Sequence, residues 1–140
     1  MASLRNFGAL VARIAMAYIF LAGGIEKFQS PGGTAEYMAQ AGHIPHPAVM
    51  PLLYLSAVIE LVGGILLILG IAPRIVAFII FLWLIPVTLD IHVLNHQAIE
   101  WHKNLAILGG LLMITVYGAG DWVLFGRRRT APTSIRAKAA

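Results

Sequence analysis

The stretch Ala48-Val-Met-Pro-Leu-Leu-Tyr-Leu-Ser-Ala-Val-Ile-Glu60-Leu-Val-Gly-Gly-Ile-Leu-Leu-Ile-Leu-Gly70 decides the fold class. Glu60 is its one charged residue. As a helix it reaches about 35 Å at 1.5 Å per residue, enough to cross the hydrocarbon of a bilayer. Pro47 and Pro51 suit the entry to such a helix. The rest of the chain agrees in composition. Of its 140 residues, 59% are hydrophobic and 11% are charged, and the mean hydropathy is +0.83. A soluble domain carries about 25% charged residues and could not hide this much apolar surface.

Three further apolar runs flank the first: Asn6–Ile25, Pro73–Val93 and Lys103–Gly120. The expected fold class is therefore all-α, a polytopic four-transmembrane-helix antiparallel bundle, with a transmembrane domain over residues 1–126 and a basic, disordered tail over 127–140. Ile71-Ala72-Pro73 is short enough to make the second and third spans a hairpin. Glu26–Pro47 is a long polar loop that holds a short helix near Thr34–Ala41. The N-terminus imitates a signal peptide, but Arg13 interrupts its apolar core, which favours an uncleaved first span.

The net charge of +4 comes from the tail. Arg127, Arg128, Arg129, Arg136 and Lys138 follow the last apolar run. They share one side of the membrane with Arg5 and Arg74, whereas Lys27 and Lys103 lie opposite among Glu26, Glu36 and Glu100. The positive-inside rule then places both termini in the cytoplasm and all five histidines on the far side. No basic face interleaved with aromatic residues exists, so nucleic acid is excluded as a partner. The chain has no cysteine, which removes thiol catalysis, disulfides and iron–sulfur ligation.

Ionisable groups inside a span are costly and therefore informative. Arg13 and Glu60 each have small residues along their own helical face: Ala9, Ala17 and Gly24 for Arg13, and Ser56, Gly63 and Gly64 for Glu60. This predicts a close seam in which Arg13 and Glu60 form an intramembrane ion pair, either as a packing device or as a proton or ligand site. A second polar group gathers at the outer mouth: Glu26, Lys27, Asp90, His92, His96, His102, Lys103 and Asn104. Asp90 stands one turn after Pro86 and is expected to pair with Lys27 or Lys103. His92 and His96 have metal-ligand spacing, but no histidine lies deep in a span, so haem or metal is disfavoured. No nucleophile–base pattern and no phosphate loop is present, so the chain holds no self-sufficient catalytic constellation.

The ordered set Arg13-Ile-Ala-Met-Ala-Tyr-Ile-Phe20, Ala22-Gly-Gly-Ile-Glu26-Lys27-Phe28, Glu60-Leu-Val-Gly63-Gly64, Arg74, Lys103-Asn104-Leu-Ala-Ile-Leu-Gly109-Gly110 and Gly118-Ala-Gly120 resembles the DoxX family over residues 5–122. The chain departs from the family pattern at Asp121-Trp122 and in its histidine-rich Asp90–His96 stretch. The resemblance implies a four-helix bundle in a bacterial inner membrane and a connection to quinone-linked oxidoreduction or to redox defence. Three functions are compatible with these observations. One is a redox-associated subunit that binds quinone or handles protons for a partner oxidoreductase. Another is an accessory subunit packed against a larger complex, or a homo-oligomer. A small transporter of hydrophobic solutes fits less well, because no span is broken.

Overall fold

A computed structural model describes residues 2–123, and among them all regular structure is helical. The long helix α3, His46–Leu69, begins with Pro45 at its cap and a proline within its first two positions, where a missing N–H costs nothing. It ends in a Schellman turn. Gly70 takes a left-handed conformation at φ 70°, its N–H donates to the Leu67 carbonyl, and the Ile71 N–H donates to the Leu66 carbonyl. Ala72 and Pro73 then open α4, Pro73–Val87. The chain thus reverses within a few residues, as the apolar pattern predicts.

Before α3 come α1, Ala2–Gln29, and the short α2, Pro31–Ala41. After α4 the helix widens into a π-helical segment, Thr88–Val93, and the chain finishes in α5, Ala98–Tyr117. Pro86 lies just before the wide turn, where it removes a backbone donor and crowds the preceding carbonyl. The π turn compensates with wider bonds, such as Leu94 N–H to the Leu89 carbonyl and Gln97 N–H to the His92 carbonyl.

The long helices close into a ring in which α1 packs on α3, α3 on α4, α4 on α5 and α5 back on α1. Ala17, Phe20, Leu67, Ala77, Ile80 and Leu111 fill the centre. A smaller core of Met38, Val49, Leu53 and Ile91 holds α2 over one end. The outer surface is also apolar: Ile14, Val58, Val62, Phe78, Ile79 and Leu105 are all exposed. Such a surface suits lipid. Three stretches are long and apolar enough to cross a membrane, Ser3–Gln29, His46–Leu69 and Pro73–Val93. The fold is that of a polytopic helical membrane protein. The tail 127–140 lies outside the described residues.

Glycines set the register of α1 against α3. A Cβ on Gly24 would lie 2.7 Å from Leu61 Cγ and 3.1 Å from the Ala57 carbonyl. A Cβ on Gly64 would lie 2.8 Å from Leu21 Cγ and 3.2 Å from the Ala17 carbonyl. Ala17 therefore faces Gly64, and Gly24 faces Ala57. In this antiparallel register position 21 stands opposite Glu60, and position 68 stands opposite Arg13.

Candidate functional site

The end of the bundle capped by α2 contains a cavity of about 530 Å³. Every element described above contributes to its lining. Glu26 and Lys27 come from the end of α1, Thr34, Tyr37 and Met38 from α2, and Ser56 and Glu60 from α3. Trp83 and Val87 come from α4, Ile91 and His92 from the π-helical segment, and Glu100 from α5. A cavity of this size suits a small amphipathic ligand.

A connected polar chain runs through it. Lys27 Nζ donates to Glu60 Oε2 at 2.7 Å and to the Gly23 carbonyl at 3.4 Å. Ser56 Oγ donates to Glu60 Oε1 at 3.0 Å, and the Trp83 indole N–H reaches Ser56 Oγ at 3.3 Å. The helical period dictates the local geometry, because Ser56 and Glu60 are four apart on α3 and share a face. Gly23 makes room for the ion pair, since a Cβ there would sit 3.1 Å from Glu60 Oε2. The Lys27 and Glu60 side chains keep 20% and 15% of their exposure, so the pair is shielded but not dry.

At the rim, Gln97 Oε1 meets His92 Nδ1 at 2.7 Å and accepts from the Tyr37 hydroxyl at 2.9 Å. The π turn swings His92 into this position, because its carbonyl already holds the Gln97 N–H. Glu100 accepts a hydrogen bond from Lys103. That bond, more than any other influence, holds the Glu100 carboxyl below the usual carboxylate range, with the charges of Lys103 and His92 acting in the same direction.

Comparison with known proteins gives this geometry a lineage. Residues 8–93 match the DoxX family. The chain belongs to the DoxX family. The matched span holds every lining residue named above except Glu100. The chain is 31% identical to the inner membrane protein YphA of Escherichia coli, over 82% of this chain and 90% of the relative. It is 32% identical to the inner membrane protein YqjF of the same organism, over 87% and 92%. A Bacillus subtilis protein named "Putative oxidoreductase CatD" is 39% identical over 57% of this chain and 56% of its own length. No solved structure matches. Family and hydropathy together place the chain among multi-pass bacterial inner-membrane proteins.

Within this DoxX bundle the expected ion pair of Arg13 with Glu60 does not form. Glu60 pairs with Lys27 instead, and Arg13 Nη2 donates to the Trp122 carbonyl at 2.6 Å. The cause is the α1–α3 register. Pairing them needs α1 to slide by eight residues, about 12 Å along the helix, which exceeds what an arginine side chain can bridge.

The outer-mouth group divides. Glu26, Lys27 and His92 line the cavity. Asp90 is not paired with Lys27 or Lys103. Its carboxylate accepts from the His43 backbone N–H and meets His43 Nδ1, both at 3.0 Å, because the π turn directs it toward the loop after α2. His96 occupies an exposed left-handed turn position at φ 55°, and His102 stacks on Trp101 with ring centroids 3.8 Å apart. The i, i+4 histidine face is therefore not built, and among the described residues no three metal-ligating side chains converge. Asn104 is buried and donates to Thr88 Oγ1 at 3.1 Å, tying α5 to the π-helical segment.

Sequence reasoning missed Trp83 as a cavity residue. Its signal was present, since a tryptophan in mid-span departs from the usual placement of tryptophan at membrane interfaces. Tyr37 and Gln97 carried no such signal, because their hydrogen bond joins segments sixty residues apart.

Proposed function

We propose that this DoxX protein crosses the membrane four times, keeps both termini in the cytoplasm, and binds a quinone in the outer cavity for a partner oxidoreductase. The single observation that carries the reading is the linked array Lys27–Glu60–Ser56–Trp83, which shares one cavity wall with the apolar side chains of Met38, Val87 and Ile91. A quinone needs an apolar slot with a few donors aimed at its carbonyl oxygens, and it takes up two protons for every two electrons. The Lys27 ammonium is such a donor, because its bond to Glu60 leaves it a further N–H, and Glu60 is a carboxylate through which protons reach the cavity. The cysteine-free chain leaves electron supply to the partner or to a cofactor that the partner brings. The printed name of the Bacillus subtilis relative supports redox association.

The fourth crossing would be α5. It has 20 residues and a polar first turn, and Trp101 and Trp122 would anchor its two ends at the interfaces. Single cysteines placed in the cysteine-free chain test the topology. A cysteine at Ser134 should react with a membrane-impermeant maleimide only in inverted vesicles, and one at His46 only in right-side-out cells. The reverse pattern overturns the cytoplasmic placement of the termini, and labelling of both cysteines in the same preparation removes the fourth crossing.

Native mass spectrometry of the full chain in mild detergent, with added ubiquinone, tests the ligand. A one-to-one adduct lost in Glu60→Gln and Lys27→Met supports the site; an adduct insensitive to both rejects it. A second reading, an accessory subunit, rests on Gly109. Gly23, Gly24, Gly63, Gly64 and Gly110 each meet a neighbour in the bundle, whereas a Cβ on Gly109 would meet nothing within 4 Å. That leaves a small-residue face on α5 open to a partner helix. A stoichiometric protein partner without quinone favours it.

A further inference from the structure

At the rim of the outer cavity, Gln97 is tied to His92 twice. Its backbone N–H donates to the His92 carbonyl at 2.9 Å, and its Oε1 meets His92 Nδ1 at 2.7 Å. The Tyr37 hydroxyl donates to the same Oε1 at 2.9 Å. An amide oxygen accepts and never donates. His92 Nδ1 must therefore carry a proton, because two lone pairs facing each other at that distance would repel. In the neutral ring the second nitrogen, Nε2, is then a bare acceptor.

The clamp sits outside the cavity and sets what the cavity meets. His92 and Tyr37 line the cavity, whereas Gln97 does not. With its Nδ1 edge turned to Gln97, the polar atom that His92 brings to the cavity is Nε2, to which the described residues give no hydrogen-bond partner. The rest of the lining is also rich in acceptors. Glu26, Glu60 and Glu100 supply three carboxylates. Trp83, Ser56, Thr34 and Tyr37 each donate to another protein atom. Lys27 keeps a further N–H beyond its bonds to Glu60 and Gly23.

We infer that Gln97 is a positioning residue that locks His92 in its Nδ1–H form, and that the cavity for this reason binds a quinol more tightly than the corresponding quinone. The inference rests on the quinone reading of the cavity and names the form of the ligand that fits it. One quinol hydroxyl donates to His92 Nε2. The other accepts from Lys27 and donates to a free lone pair of Glu60. A quinone still accepts from Lys27, but its second carbonyl sets a lone pair against that of Nε2. A site built to bond a hydroxyl rejects the analogue that lacks it.

The test uses the full chain in mild detergent, kept free of oxygen and titrated calorimetrically with a short-chain ubiquinol and with the matching ubiquinone. The quinol should bind roughly tenfold more tightly, the order of one hydrogen bond made against one missed. His92→Phe should bring the two affinities within about twofold of each other, through loss of quinol binding. Nitrogen-15 spectra of histidine-labelled protein in mildly alkaline buffer, where imidazole is neutral, read the tautomer without any ligand. The His92 signal, assigned by its loss in His92→Phe, should report protonation at Nδ1. Gln97→Leu should move it toward the Nε2–H form and lower the quinol preference, which a merely structural role for Gln97 would not do. A parent His92 protonated at Nε2 overturns the inference. Equal binding of both forms overturns it while leaving the quinone reading standing, and binding of neither form overturns the two together. The deciding measurements are made on the parent chain, so they stand even if a variant does not fold.

Discussion

The α1–α3 seam holds a buried charge near each end, and the two are solved differently. At the α2 end, Glu60 is met by Lys27 from the neighbouring helix and by Ser56 from its own. At the terminal end, Arg13 has one backbone carbonyl and, among the described residues, no carboxylate. The same pair of helices, in the same register, gives one charge a carboxylate–ammonium partner and the other only a backbone carbonyl. A completed pair can position a neutral ligand beside it, whereas a buried arginine can be met by backbone carbonyls alone.

The largest effect should come from inverting a charge. Glu60→Arg puts two cations at the Lys27 position and should abolish accumulation of folded protein in the membrane. Adding Arg13→Glu should not restore it. With the two sites about eight residues out of register, their coupling should stay within about 0.5 kcal/mol, the additivity expected of separated sites. Rescue by the double variant would mean that α1 and α3 slide to a different register.

Removing one partner is the next test. Glu60→Leu strands the Lys27 ammonium and should cost about 3 kcal/mol in detergent unfolding, the low end for a buried pair because both side chains retain some water. Lys27→Met with Glu60→Leu should recover most of that loss, since the double variant strands no charge. A double variant as unstable as the single would show that the pair supports the fold in some other way.

The failure of the Arg13–Glu60 expectation shows what the sequence could specify. Apolar runs reveal the long helices, and Pro47 and Pro73 mark openings that the structure keeps, whereas Pro51 lies inside α3. The small-residue faces of α1 and α3 were legible as a close seam. Their register was not. Shifted by eight residues, Ala9 would face Gly64 and Ala17 would face Ser56, so small still meets small and the two arrangements read alike. The structure selects between them through contacts such as Gly24 with Leu61 and Lys27 with Glu60. The π turn was likewise hidden. Pro86 announces a disturbed helix, but whether the next turn tightens, breaks or widens depends on what packs against it, here Asn104 on Thr88. That choice carried Asp90 away from the mouth and His92 into it.

The seam itself can be disturbed with a smaller change. Gly64→Ala forces Leu21 and the Ala17 carbonyl to yield, and should cost about 1–3 kcal/mol by overpacking. Because the same register sets Lys27 against Glu60, the quinone adduct should weaken as well. Gly109→Ala is the control. It meets nothing within 4 Å and should hold or slightly raise stability through helix propensity, by up to about 1 kcal/mol. An unchanged quinone adduct in Gly64→Ala would show that the Lys27–Glu60 contact is set independently of this crossing.

The smallest effect belongs to the exposed pair that contrasts with Lys27–Glu60 at the same mouth. Glu100 and Lys103 are three residues apart on α5, and their side chains keep 41% and 45% of their exposure. Water screens such a pair, and Lys103→Ala should change stability by only about 0.3 kcal/mol. Its titration is the more sensitive readout. The Lys103 hydrogen bond lowers the folded-state Glu100 pKa beneath its unfolded value, so the folded carboxyl holds its proton less tightly. The associated stability is therefore present above the unfolded carboxylate pKa and is lost as pH falls through the depressed folded one. Lys103→Ala should move the Glu100 midpoint upward, as followed by carboxyl carbon chemical shift. The charge of His92 also lowers Glu100, so His92→Ala should move it the same way by a smaller step. An unmoved midpoint in Lys103→Ala would mean that the pair does not persist in solution, and would leave Lys27–Glu60 as the ordered carboxylate–lysine pair of the cavity under α2.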